Sequence, residues 1–111
     1  MAGEPSVKQY PYPEAMPSYR VTVSIESLHP GILPATVVPR AAATAAEMTT
    51  VEASDLTIVG GAARVIVRYT ADDAASALQI GAHVVGDLRT IAELRASLVT
   101  ERIKGTWVSV R

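Results

Sequence analysis

All seven prolines of this 111-residue chain lie at or before Pro39. Proline fixes φ, removes a backbone donor and biases the residue before it toward extended geometry. The chain therefore divides into a proline-studded front and a rear free to form regular elements. Pro5, Pro11, Pro13 and Pro17 fall in the first part of that front. Residues 1–18 are predicted to be an extended arm, polyproline-II-like in places, that forms neither a helix nor a central strand. Residues 10–19 read YPYPEAMPSY and hold three of the four tyrosines. Residues 19–111 are predicted to be a single domain, a size that suits one hydrophobic core.

The body opens on a period of two. Tyr19, Val21, Val23 and Ile25 alternate with Arg20, Thr22, Ser24 and Glu26, the pattern of a half-buried strand. His29-Pro30-Gly31-Ile32 then predicts a type II turn. An alanine-rich helix is expected from near Pro39 to about Met48, since proline fits a first helical turn. An extended stretch over 32–38 is the competing local reading. Val51 to Val59 and Ala63 to Tyr69 predict two strands joined by Gly60-Gly61, a hairpin signal. Thr70-Ala71-Asp72-Asp73 matches a capping box with Thr70 at the cap. A helix follows to about Arg89, with Ala77, Leu78, Gly81, Val85 and Leu88 on its apolar stripe. Leu98 to Ile103 and Thr106 to Arg111 predict a second hairpin about Lys104-Gly105, placing Arg102 opposite Trp107.

This order predicts an α+β chain: a ferredoxin-like βαββαβ sandwich with an antiparallel-rich sheet, an added C-terminal hairpin strand and the extended N-terminal arm. The first and third strands are expected to be parallel neighbours at the centre, with both helices on one face. The other face is then wet or covered by something else.

Composition excludes several classes of function. The net charge is −1 and there is no cysteine. No electrostatic footprint for nucleic acid or a membrane is expected, and no thiolate chemistry or disulfide framework. No apolar run reaches a membrane span, and no secretory signal is expected at the front, so the expected location is cytoplasmic, or a virion if the gene is carried by a phage. The absence of Phe and Asn beside eighteen alanines points to a high-GC coding sequence, such as an actinobacterium or one of its phages. The run VIVRYTADDAASALQIGAHVVGDL, residues 65–88, loosely resembles segments of phage tail-completion proteins. The resemblance covers that run alone and includes no diagnostic motif. It implies a structural role in a virion.

Candidate chemistry is sparse. His29 follows the first strand, and Asp72 and Asp73 follow the third. With parallel strands all three share one end of the sheet, and with Tyr69 they outline a possible ligand pocket. A turn histidine beside a capped helix is the plainer reading. His83 and Asp87 are spaced to pair on one helix face. Gly60-Gly61 joins two strands and lacks the spacing of a phosphate loop. Arg64, Arg68, Arg102, Trp107 and Arg111 together suit a cationic face with one aromatic, and Tyr10 and Tyr12 remain as an aromatic pair in the arm.

The expectation is a non-catalytic protein-interaction or assembly module. Its partner surface is formed by Tyr10, Tyr12, Arg64, Arg68, Arg102 and Trp107, and its partner is a second copy or another protein. No catalytic residue, metal or cofactor is expected. The alternative is a small-molecule sensor or small dimeric enzyme with a pocket near His29, Tyr69, Asp72 and Asp73.

Overall fold

Along β1 (Ser18–Leu28) the predicted alternation is realised: Tyr19, Val21 and Val23 are buried while Arg20, Thr22 and Ser24 are half-buried on the opposite side. The computed structural model describes residues 17–110. The strand ends at the predicted turn, where Ile32 N donates to His29 O at 3.2 Å and Gly31 has φ +86°. That positive φ at the third turn position is what a type II turn requires. A short 3₁₀ turn, Pro34–Thr36, leads into α1 (Val37–Ala46). The competing extended reading of 32–38 therefore fails. Pro39 sits in the first turn of α1, where its missing N–H costs nothing.

β2 (Val51–Val59) and β3 (Ala62–Thr70) follow as an antiparallel hairpin. Gly60 and Gly61 both have positive φ, 58° and 80°, as a type I′ turn demands. α2 (Ala74–Leu88) then crosses to β4 (Ala92–Ile103), and β5 (Thr106–Ser109) folds back along it. β4 begins well before the predicted Leu98. The α2 cap also differs from expectation. Thr70 stays in the sheet, its N donating to Thr50 O, and Asp73 is the cap, its Oδ1 accepting from Ser76 N at 2.8 Å.

The fold is α+β: one five-stranded antiparallel sheet, ordered β2-β3-β1-β4-β5, and two helices. The expected parallel pairing of β1 with β3 does not occur, because they are antiparallel neighbours. The connectivity explains this. A helical crossover returns β2 in the direction of β1, and the Gly60-Gly61 hairpin then reverses β3.

Both helices pack on one face. Tyr19, Val21, Val23, Val65, Val67 and Tyr69 from the sheet meet Val37, Ala41 and Ala45 of α1 and Ala77, Ile80, Val84 and Leu88 of α2. Tyr19 and Tyr69 are paired across β1 and β3 and stack with ring centroids 6.3 Å apart. Alanines bring α1 close to the sheet, and Gly81 does so for α2. A Cβ at Gly81 would stand 2.6 Å from Val99 Cγ2. Nothing among the described residues covers the other face with a helix.

Candidate functional site: an arginine and tryptophan face

The even-numbered residues of β1 and β3 point to the helix-free face. Arg20 and Arg68 are opposite each other there, and Arg20 pairs with Thr100 on β4. The Lys104-Gly105 turn fixes Arg102 opposite Trp107, as the sequence predicted. These pairings collect three guanidiniums about one indole. Arg20 Cζ lies 4.2 Å from the centre of the Trp107 ring, Arg68 Cζ 5.4 Å and Arg102 Cζ 5.7 Å. The ring thus reaches from β5 back across β4 toward β1. Thr100 is consequently only 8 % exposed on a face with no helix.

The charges are unevenly matched. Arg68 Nε donates to Glu52 Oε1 at 2.9 Å, and Ser18 Oγ donates to the same oxygen at 2.9 Å. At the far end of the face Arg95 is paired with Glu26 at 2.7 Å. Among the described residues, no ion pair joins Arg20 or Arg102 to a carboxylate. Arg20 and Arg68 are like charges directly opposed, which destabilises a sheet. Each guanidinium gains about 0.5–1 kcal/mol from an exposed ring, and more once water is excluded. The surface is therefore one whose interactions strengthen when something covers it.

Of the sequence-predicted surface, the structure brings together Arg68, Arg102 and Trp107. Arg64 is on the same face but further along β3, opposite Ser24, and its Nε is buried without a hydrogen-bond partner. Tyr10, Tyr12 and Arg111 lie outside the described residues. Arg20 is the residue that the sequence-predicted set lacked. Its outward position in the β1 alternation was the available signal.

The alternative pocket is not assembled. Because β1 and β3 are antiparallel, His29 and the Asp72/Asp73 pair sit at opposite ends of the sheet. His29 Nε2 is 3.1 Å from Glu93 Oε2, and its Nδ1 is 3.3 Å from Thr90 O. Tyr69 is fully buried and its hydroxyl donates to Ala77 O at 2.7 Å. Burial pushes that hydroxyl's pKa well above its ordinary value, with the nearby Tyr19 adding to the shift. Asp73 is spent on the helix cap, and its bonds to Ser76 hold its carboxyl below the usual range. Asp72 is exposed beside Thr49, Thr50 and Thr70 in a shallow groove.

His83 and Asp87 do not pair with each other. His83 Nε2 is instead 2.8 Å from Oε1 of Glu47, the residue that follows α1, and Asp87 accepts from Arg40 of α1 at 2.9 and 3.1 Å. No group of three or more His, Cys, Asp or Glu residues placed to hold a metal ion occurs among the described residues. No helix among them is long and apolar enough to cross a membrane.

Comparison with protein-family models, curated proteins and solved structures finds no match for this chain.

Proposed function

We propose that this chain is a non-catalytic interaction or assembly module that docks a protein, a second copy or a different chain, through its helix-free sheet face with residues 1–18 alongside. The observation that carries this reading is Trp107 ringed by Arg20, Arg68 and Arg102. Tryptophan and arginine are the residue types that dominate interface energetics when fully covered. Two of these guanidiniums have no carboxylate among the described residues, so a partner bearing Asp or Glu fits them. Arg20 faces Arg68, whose charge Glu52 already offsets, so a partner carboxylate placed on Arg20 reduces the like-charge repulsion that is left.

The finer fold belongs to the same proposal. Strands β1 to β4 with α1 and α2 are read as a ferredoxin-like split βαβ unit, and β5 extends it at the edge. That topology serves many functions and does not itself carry the reading. A cytoplasmic or virion setting, the latter as a phage structural or accessory protein, is part of the proposal. The ligand-pocket alternative has no comparable observation, because its four residues are not brought together.

Native mass spectrometry and size-exclusion chromatography of the full chain, isolated with whatever it binds in its source cell, test the reading. The expected result is an oligomer or a stoichiometric complex. Arg20→Ala with Arg102→Ala should weaken it by about tenfold or more, as loss of interface anchors does. A monomer at every concentration and no co-purifying protein would reject the proposal.

A further inference from the structure

We propose that the outer edge of β2 pairs with β2 of a second copy of this chain, antiparallel and about a two-fold axis at Leu56. The contact joins two five-stranded sheets into one and is separate from the arginine and tryptophan face.

The sheet has two edges, β2 and β5. A bare edge offers N–H and C=O groups to any extended chain, and proteins blunt such edges with short strands, lysine, proline or bulges. β5 is four residues long and follows the Lys104-Gly105 turn. β2 is nine residues long and holds neither proline nor lysine. Its irregularity lies between Val51 and Ala53, and Glu52 is turned to Arg68 and Ser18 of the same copy. Residues 53–59 keep one charge, Asp55, and none of the other devices. Among them Leu56, Ile58 and Val59 are 48, 64 and 48 % exposed.

The Gly60-Gly61 turn decides which backbone groups face outward. Across a two-residue turn Val59 and Ala62 exchange both bonds, and bonded pairs then alternate along the hairpin. Ser54, Leu56 and Ile58 therefore aim their N–H and C=O groups away from β3. Leu56 agrees with this phase: its N donates to Asp55 Oδ1 at 2.8 Å, which takes the place of a strand partner. When β2 meets its own copy, outward groups must oppose outward groups, which leaves few registers. An axis at Asp55 sets two carboxylates face to face, which is repulsive. An axis at Thr57 pairs residues 55–59 only. An axis at Leu56 pairs all of residues 53–59. Leu56 then meets Leu56, Ser54 meets Ile58, and Asp55 meets Thr57, whose hydroxyl suits a carboxylate. Leu56 and Ile58 oppose Val65 and Ala63 and so share the helix side of the sheet. The axis gathers both residues of both copies into one apolar cluster. A strand that complements itself in charge and in apolar side chains selects a second copy, as an isologous contact requires. The axis crosses the sheet, so the Trp107 clusters of both copies face the same side.

The chain has no cysteine, so one introduced thiol reports one contact. Opposed residues have Cα atoms about 5.5 Å apart, within disulfide range, while diagonal neighbours are about 7–8 Å apart and outside it. Under mild oxidation Leu56→Cys should give mostly disulfide-linked dimer, and Thr57→Cys about tenfold less. Sedimentation equilibrium of the native chain should show a dimer that dissociates on dilution. Ile58→Lys, at a position exposed in the single chain, should keep the fold and raise the dissociation constant about tenfold or more. Cross-linking at both positions alike, or at Thr57→Cys in preference, would overturn the axis. Equal masses for the native chain and Ile58→Lys at every concentration would overturn the pairing. Arg20→Ala with Arg102→Ala should leave the Leu56→Cys cross-link intact, so the edge contact and the docking face stand or fall separately. Loss of the cross-link in that variant would overturn a contact confined to the edge.

Discussion

Lys104 has φ 51°, the one positive value at a non-glycine position among the described residues. With Gly105 at 80° it forms the type I′ turn that sets the register of Arg102 against Trp107. A side chain in this left-handed region costs about 1–2 kcal/mol, and asparagine tolerates it best. Lys104→Asn should therefore raise the unfolding free energy by about 0.5–1 kcal/mol. Urea denaturation followed by Trp107 fluorescence checks this, and a loss of stability would mean that Lys104 contributes something other than turn geometry. The same turn explains how far the site was legible. A two-residue turn dictates which side chains face each other, so Arg102 opposite Trp107 follows from residues 98–111 alone. Arg20 did not follow. Its outward direction is plain in the β1 alternation, but its place under Trp107 depends on the register of β1 against β4. That pairing joins residues about 80 apart, and no local pattern encodes it.

The helix α2 carries two glycines, of which the sequence puts Gly81 alone on the apolar stripe. Gly81 faces the sheet, where an added Cβ would meet Val99 Cγ2 at 2.6 Å, while a Cβ on Gly86 meets nothing within 4 Å. Alanine in place of a helical glycine gains about 1 kcal/mol from backbone propensity. At Gly86 that gain should appear nearly whole. At Gly81 it opposes overpacking worth about 1–3 kcal/mol against a valine with a stiff χ1. Gly81→Ala should therefore destabilise by about 1 kcal/mol, and thermal unfolding of the two variants should move in opposite directions. Equal shifts would show that α2 can slide off β4 at little cost. The elements themselves were legible where one period ran through several residues, as in β1 from Tyr19 to Ser24, in β3 and in the α2 stripe. They were less so where two signals competed. Thr70 resembles a cap three residues before Asp73, but it is held in β3 by pairing with Ser18 and by Thr50. The first half of β4 was missed although Ala92, Leu94, Ala96 and Leu98 alternate with Glu93, Arg95 and Ser97, because Ala, Leu, Glu and Arg are strong helix formers that locally disguise a strand.

At the scale of the whole molecule, strand direction decided which residues meet. A crossover followed by a hairpin obliges β3 to run against β1, and this separates His29 from Asp72 and Asp73 while gathering the arginines. Among the described residues both helices lie on one face of the sheet, and polar contacts between α1 and α2 help to hold them there. Asp87 is their centre. It accepts from Arg40 Nε at 2.9 Å, from Arg40 Nη2 at 3.1 Å and from Thr44 Oγ1 at 2.9 Å. The Arg40 hydrogen bond is the main cause that holds the Asp87 carboxyl below its ordinary value of 3.8, against the opposing effect of burial. A carboxyl depressed in the folded state stabilises above its unfolded value, and this contribution is lost as pH falls through the folded value. The pair is partly exposed, so screening limits it to about 1 kcal/mol. Asp87→Asn should thus lower stability by about 1 kcal/mol at neutral pH. The gap to the native chain should stay constant down to about pH 4 and close below it, as the native carboxylate itself becomes protonated. Urea titrations at stepped pH measure that gap. A gap that persists undiminished in acid would show that Asp87 acts through packing, and that the α1–α2 contact does not depend on its charge.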